Sequence, residues 1–137
     1  MIIDTSAILA ILLGEADATH YEEAIATAWP RRMSAVALLE AAMVVEGRGD
    51  AVAGQALDAV LEKASIELVT VTAEHAAAAR RAWRRFGKGN HPAALNFGDC
   101  FAYALSEITG EPLLFKGSDF SRTDVRVAMP PDWEGDP

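Results

Sequence analysis

The feature that most constrains this chain is an alternation: apolar runs too short for a helix, each followed by a longer segment with helical spacing. Met1-Ile2-Ile3 is such a run, stopped by Asp4-Thr5-Ser6, and reads as a buried strand whose carboxyl end carries the polar residues. Arg32-Met33-Ser34 reads as a short second strand, residues 66–71 form a third and the expected middle strand, and residues 112–115 form the last. Helices are expected over 7–13 with Gly14 ending it, over 17–28 closed by Trp29-Pro30, and from Ser34 as N-cap to about Gly47. Three more are expected over 50–63, from a Thr72 cap to Phe86, and over 96–109. In the last of these Phe97, Phe101, Ala104, Leu105 and Ile108 share one helical stripe. Gly87-Lys88-Gly89-Asn90-His91-Pro92 is a loop. Strands alternating with helices predict an α/β domain with a mainly parallel sheet.

Composition narrows the class. The chain has 137 residues, 51% of them hydrophobic, enough to bury a core without staples. Twelve Lys and Arg against twenty Asp and Glu leave a net charge of −8, too acidic to hold nucleic acid by bulk charge. The apolar content excludes a disordered chain. One Cys excludes an internal disulfide framework and a Cys-rich zinc site, and His20, His75 and His91 lack metal-ligand spacing. No basic leader opens the sequence and no window of about 18 residues stays apolar, so the expectation is a cytoplasmic protein without a membrane segment. No repeat or linker divides it: one domain is expected over 1–130, followed by an acidic, flexible tail at 131–137 with Trp133 available to dock on the body.

Four carboxylates fall where neither a core nor a plain surface accounts for them. Asp4 ends the first strand and Asp119 follows the last, both on the edge where open parallel sheets bind ligands. Glu40 has Val36, Met43 and Val44 within about 60° of it around its helix. A carboxylate in the middle of an apolar face is costly unless compensated. Asp99 occupies a first helical turn, where Asn96-x-x-Asp99 reads equally well as a capping box. Strand carboxyl ends and helix N-termini meet on one edge, so all four are expected to converge there. Crowded acids repel and take up protons unless a cation neutralises them. An all-oxygen donor set suits Mg²⁺ or Mn²⁺ over zinc, and such an ion serves phosphodiester hydrolysis by activating water and clamping a phosphate. Thr5 and Ser6 either support the metal's water and orient carboxylates, or are plain helix caps.

The opening Met1-Ile2-Ile3-Asp4-Thr5-Ser6-Ala7, Glu40 in its apolar helix, Asn96-Phe97-Gly98-Asp99-Cys100, and 113–120 continued by Arg122-Thr123-Asp124 resemble the PIN-domain family, most closely its VapC-type ribonuclease toxins. The resemblance runs from Met1 to about Pro130 with the four acids in the family's order. It implies a three-layer α/β/α PIN-like nuclease domain that cleaves RNA with Mg²⁺ or Mn²⁺. It also implies Asp4, Glu40, Asp99 and Asp119 as the acidic site. Asp4 and Asp99 are then direct metal ligands, Glu40 a ligand directly or through water, and Asp119 the most variable member, with Asp124 its rival. A homodimer and a cognate antitoxin that wraps the toxin are implied partners.

Positive charge is concentrated in Arg80, Arg81, Arg84, Arg85 and Lys88, a candidate phosphate-guiding strip, or a solvated face with cations near a helix C-terminus. Lys116 is a separate candidate for phosphate contact. Plainer roles are expected for Cys100 (packing), His75 (surface or cap), His91 (loop structure) and Trp83 (core or interface anchor). Ala7, Ile8, Ile11 and Leu12 exceed what one sheet face needs and are expected to cover a dimer or antitoxin surface. A receiver-like signalling module is disfavoured because the expected middle strand ends in Thr-Val-Thr without an acid, and an aspartyl-phosphate phosphatase because position 6 is Ser. A catalytically silent PIN-like binding protein is the remaining alternative.

Overall fold

A computed structural model describes residues 1–47, 49 and 51–128. The expected helix start at Asp50 and the 131–137 tail with Trp133 lie outside the described residues. In chain order the elements are β1 (Ile2–Ile3), α1 (Thr5–Leu12), α2 (Ala18–Thr27), β2 (Arg32–Ser34), α3 (Ala35–Glu46) and α4 (Ala51–Lys63). They continue with β3 (Glu67–Val69), α5 (Ala73–Phe86), α6 (Phe97–Thr109) and β4 (Leu113–Leu114), before a single 3-10 turn at Phe120–Arg122. The strands form one parallel sheet in the order β3-β2-β1-β4.

Side-chain alternation splits the core into two layers around that sheet. Ile3, Met33 and Leu114 face a cluster with α1, α2, α3 and α4, which supplies Ile8, Tyr21, Ile25, Val45 and Leu57. Ile2 and Leu113, one residue earlier on their strands, point the other way, into a cluster with Ala82 and Phe86 of α5 and Tyr103 and Leu105 of α6. Two helical layers with a parallel sheet between them make the three-layer α/β/α arrangement. Both faces of β1 and β4 are covered, which is why those two strands read as continuous apolar runs.

Local chemistry fixes where the helices begin. Ser34 caps α3 by accepting from the Val36 N–H at 3.2 Å, and Thr72 caps α5 by accepting from the His75 N–H at 3.2 Å. Asn96 and Asp99 form a reciprocal capping box on α6. Gly110 ends that helix with φ +71°, a left-handed conformation costly for residues with a Cβ. α1 starts earlier than the sequence suggests, because Asp4 itself is its N-cap.

Four readings are corrected. The third strand is Glu67–Val69, shorter than 66–71, and lies at the sheet edge with its first two residues exposed, while β2 and β1 form the centre. Its branched residues suit an edge strand as well as a middle one, so composition could not tell the two apart. Since the central β1 does end in an acid, the argument against a receiver module from strand order falls away. Ala7 and Ile8 are wholly buried under the sheet and are not surface; Ile11 and Leu12 alone of that set are partly exposed.

The apolar stripes also divide differently. On α3 the buried side is Ala37, Ala41 and Val45, whereas Met43 is exposed and Val36 and Val44 are half-buried. The helix is apolar nearly all round, so periodicity could not choose its core face. On α6 Ala104 and Leu105 are buried, but Phe97 is 75% exposed. Leaving that ring in water forfeits about 1.5–3 kcal/mol of burial free energy.

Candidate active site

Asp4 and Asp99 stand at the carboxyl edge of the sheet, one after β1 and the other in the first turn of α6, and both are buried. Asp4 Oδ2 accepts from the Ser6 N–H at 3.0 Å and from Ser6 Oγ at 2.6 Å. Ser6 Oγ in turn accepts from the Lys116 N–H at 2.9 Å, which ties the first strand end to the last. Ser6 is therefore both a capping-turn residue and the group that orients Asp4. Thr5 does something else: its hydroxyl donates to the Ala37 carbonyl at 2.9 Å and braces α1 against α3.

Asp99 Oδ2 accepts from the Asn96 N–H at 3.0 Å, while Oδ1 receives no hydrogen bond among the described residues. Capping and site membership thus coexist in one carboxylate. Burial raises the Asp99 pKa to about 7; the Asn96 bond opposes this, and the neighbouring charges of Asp4, Asp119 and Glu40 add to the rise. Burial likewise raises Asp4, against the Ser6 hydrogen bonds, with Glu40 contributing in the same direction. Among the described residues no Lys or Arg forms an ion pair with any of the four acids.

Glu40 is half-buried and reaches the same place from α3. A Cβ at Gly98 would collide with its carboxylate, so the glycine leaves the space that the Glu40 head fills beside Asp99. This contact was not anticipated; its only trace in the sequence is a helix-weakening glycine inside a first turn. Asp119 is exposed, in the loop after β4.

Asp124 belongs elsewhere. It accepts from the Tyr103 hydroxyl at 2.5 Å and from Arg85 Nη2 at 3.1 Å, and these bonds hold its carboxyl below the usual value. Of the two rivals, the Asp119 charge is the one that bears on Asp99.

The four acids share one electrostatic neighbourhood without forming a finished cage: no group of three or more acidic, His or Cys side chains among the described residues stands ready to hold a metal. The donor chemistry nevertheless fits a hard divalent ion. Every donor is an oxygen, two carboxylates are buried with raised pKa, and the buried Asp99 Oδ1 receives no donor among the described residues.

The cationic candidates divide into two groups. Arg81 pairs with Glu107 at 3.9 Å and Arg85 with Asp124, whereas Arg80, Arg84 and Lys88 are exposed and form no ion pair among the described residues. Lys116 Nζ is engaged by Glu15 and by Asp17, the latter at 2.9 Å, so it is not free for phosphate as it stands. Cys100 is buried, and burial and then Asp99 push its thiol up to about 11, consistent with packing. His91 structures its loop: Nδ1 accepts from the Ala93 N–H at 3.0 Å and its ring meets Phe86 edge-on. Trp83, expected in the core or at an interface, is half exposed.

Fold and site together define a class: parallel α/β domains with carboxylates past the strand ends, here without a cationic partner among the described residues. Within it, the chain belongs to the PIN domain family, whose profile matches residues 1–126. It is 50% identical over 131 residues to ribonuclease VapC30 of Mycobacterium tuberculosis, covering 95% of this chain and 100% of that one. It is 53% identical over 125 residues to ribonuclease VapC of Mycolicibacterium smegmatis, covering 91% and 97%. Among solved structures, the fold matches Mycobacterium tuberculosis VapC20, described as a sarcin-ricin loop cleaving toxin, with TM-score 0.73 at 21% identity over 94% of this chain and 98% of that one. It also matches a chain of a toxin-antitoxin complex from Klebsiella pneumoniae, with TM-score 0.67 at 15% identity over 90% and 92%.

Proposed function

We propose that the chain is a metal-dependent endoribonuclease that hydrolyses RNA phosphodiester bonds, and that it is the toxin of a type II toxin–antitoxin pair. Curated relatives at 50% and 53% identity carry the name ribonuclease VapC, and the family is metal-dependent. The observation in the molecule that carries the reading is the pair of buried carboxylates Asp4 and Asp99, without a cationic partner among the described residues, with Glu40 and Asp119 adding charge beside them.

Asp4 and Asp99 would hold Mg²⁺ or Mn²⁺, with Glu40 alongside. When bound, such an ion supplies Lewis acidity toward a phosphate oxygen and a lowered pKa for water. The chain's own part is positioning. Ser6 fixes Asp4, the Asn96 N–H fixes one oxygen of Asp99 and leaves the other free, and Gly98 admits Glu40. Asp119 completes the acidic edge from the exposed loop, where RNA would arrive. Arg80, Arg84 and Lys88, without ion pairs among the described residues, draw the RNA backbone toward an otherwise acidic protein.

A cognate antitoxin, a homodimer and a cytoplasmic setting belong to the same proposal. The described residues contain no helix long and apolar enough to cross a membrane. A groove between α1, α2 and α4, with Ile11, Ile25 and Val60 at its apolar part and Glu22, Arg31 and Lys63 also lining it, offers a seat for a protein partner.

The reading is tested by incubating purified protein with cellular RNA in Mn²⁺, Mg²⁺ or EDTA and mapping the new ends. Defined cuts with either ion and none in EDTA are expected. Intact RNA in all three, or equal cutting in EDTA, contradicts it.

A further inference from the structure

Lys116 is the one basic residue between β4 and the 3-10 turn, yet among the described residues it pairs with neither Asp4 nor Asp119. Its ammonium turns to the connection between α1 and α2, where Glu15 and Asp17 both hold it, Asp17 Oδ1 at 2.9 Å. Asp17 gives up an ordinary role to do so. It stands at the N-cap of α2, where an Asp side chain commonly accepts from the first helical N–H groups, but it makes no such bond. Asp4, Ser34, Thr72 and Asn96 all make one at the N-caps of α1, α3, α5 and α6.

The backbone of the same lysine serves the acidic edge. Sheet pairing stops at Leu114, whose carbonyl accepts from the Asp4 N–H at 2.9 Å. Two residues on, the Lys116 N–H donates to Ser6 Oγ at 2.9 Å, and Ser6 Oγ donates to Asp4 Oδ2 at 2.6 Å. A hydroxyl has one proton and rotates to suit its neighbours. With a lone pair of Ser6 Oγ taken by the Lys116 N–H, the proton is left for Asp4. Past the strand the chain needs fastening on both sides. Phe115 is buried in the α5–α6 layer, and the ion pairs of Lys116 secure the next residue on the α1–α2 side. The chain then turns through Gly117 at φ +106° toward Asp119.

We infer that Lys116 is a positioning residue for Asp4: clamped by Glu15 and Asp17, it holds in place the N–H that aims the Ser6 hydroxyl at that carboxylate. This rests on the metal-dependent ribonuclease reading above, in which Asp4 holds the ion.

Charge and position predict opposite signs, which makes the clamp testable. By charge alone, removing a cation beside an acidic edge tightens a divalent ion. Losing the clamp loosens it. Mn²⁺ affinity is measured by calorimetry without RNA, and RNA affinity in EDTA with a fluorescent single-stranded oligoribonucleotide. Lys116→Met should weaken Mn²⁺ binding by roughly 10-fold, as loss of an outer-shell partner does, and Lys116→Arg should restore it. The Glu15→Gln, Asp17→Asn double variant, which leaves the lysine intact, should weaken Mn²⁺ in the same way. In a Ser6→Ala background, Lys116→Met should add no further loss, because the effect runs through that hydroxyl. Native or tighter Mn²⁺ binding by Lys116→Met, while the native chain still cuts RNA, overturns the clamp alone. Weaker RNA binding by Lys116→Met together with tighter RNA binding by the acid double variant also overturns it, since Lys116 is then a phosphate ligand that the two acids restrain. A native chain that neither binds Mn²⁺ nor cuts RNA overturns both readings.

Discussion

The two ends of the sheet handle charge in opposite ways. At the end where the strands begin, charges meet one another: the Met1 α-amino group meets Glu111 Oε1 at 2.8 Å, Arg32 meets Glu111 Oε2 at 2.7 Å, and Arg32 also meets Glu67 at 3.2 Å. Burial alone would raise Glu111, but the bonds from the α-amino group and Arg32 outweigh it and hold the carboxyl below its usual value. At the end where the strands finish, Asp4, Glu40, Asp99 and Asp119 have no cationic partner among the described residues, and Asp99 rises to about 7. Carboxylates are thus neutralised by the fold at one edge and left for something outside the fold at the other. Departures from satisfied polarity of this kind mark functional sites.

The largest expected effect breaks that contrast directly. Asp99→Asn should fold and still cap α6, since an amide oxygen also accepts from the Asn96 N–H, yet RNA cleavage should fall by at least about 100-fold. Glu111→Gln at the opposite edge should leave cleavage unchanged in the same assay. It should instead lower stability by about 1–2 kcal/mol, seen as an earlier urea midpoint, because two charge-assisted bonds weaken on a mostly buried side chain.

Acid sharpens the contrast, with a sign for each edge. A raised folded-state pKa means that protonated Asp99 stabilises the fold, an effect fully present below the unfolded value near 3.8 and lost as pH rises through about 7. Metal-free protein should therefore melt higher at pH 5.5 than at pH 8, by about 2–4 °C, and Asp99→Asn should flatten the slope. Glu111 works the other way: its contribution is present above the ordinary Glu value and lost only as pH falls through its lowered one. A melting temperature that falls steadily from pH 8 to pH 5.5 contradicts the assignment for Asp99.

The smallest effect concerns Glu40. Gly98→Ala should displace its carboxylate, the flexible end of a side chain, at little cost in stability. Cleavage should drop roughly threefold, about 0.65 kcal/mol of transition-state stabilisation. Unchanged cleavage removes Glu40 from the site.

Much of this was legible in the sequence because the signals were local. Asp4 follows an apolar run too short to be anything but a strand, and Asn96-x-x-Asp99 announces a helix start, so topology alone brings the two to one edge. The neutralised edge was not legible, since Met1, Arg32, Glu67 and Glu111 are scattered along the chain and meet only through strand register. Nor could periodicity place the core face of α3, where nearly every residue is apolar, or show that Phe97 leaves the α6 stripe for solvent. The partners of Lys116, Arg81 and Arg85 are likewise tertiary, and they decide which cations remain free for RNA. Where Glu40 comes to rest depended on one missing side chain, at Gly98.

The most direct measurement is a calorimetric titration of Mn²⁺ into metal-free protein at pH 7, run in two buffers of different ionisation enthalpy to count protons released. Saturable binding with a fractional proton released from Asp99 is expected, lost in the Asp4→Asn, Asp99→Asn double variant. Heats indistinguishable from dilution up to millimolar Mn²⁺ in the native chain contradict an acidic edge built to hold a divalent ion.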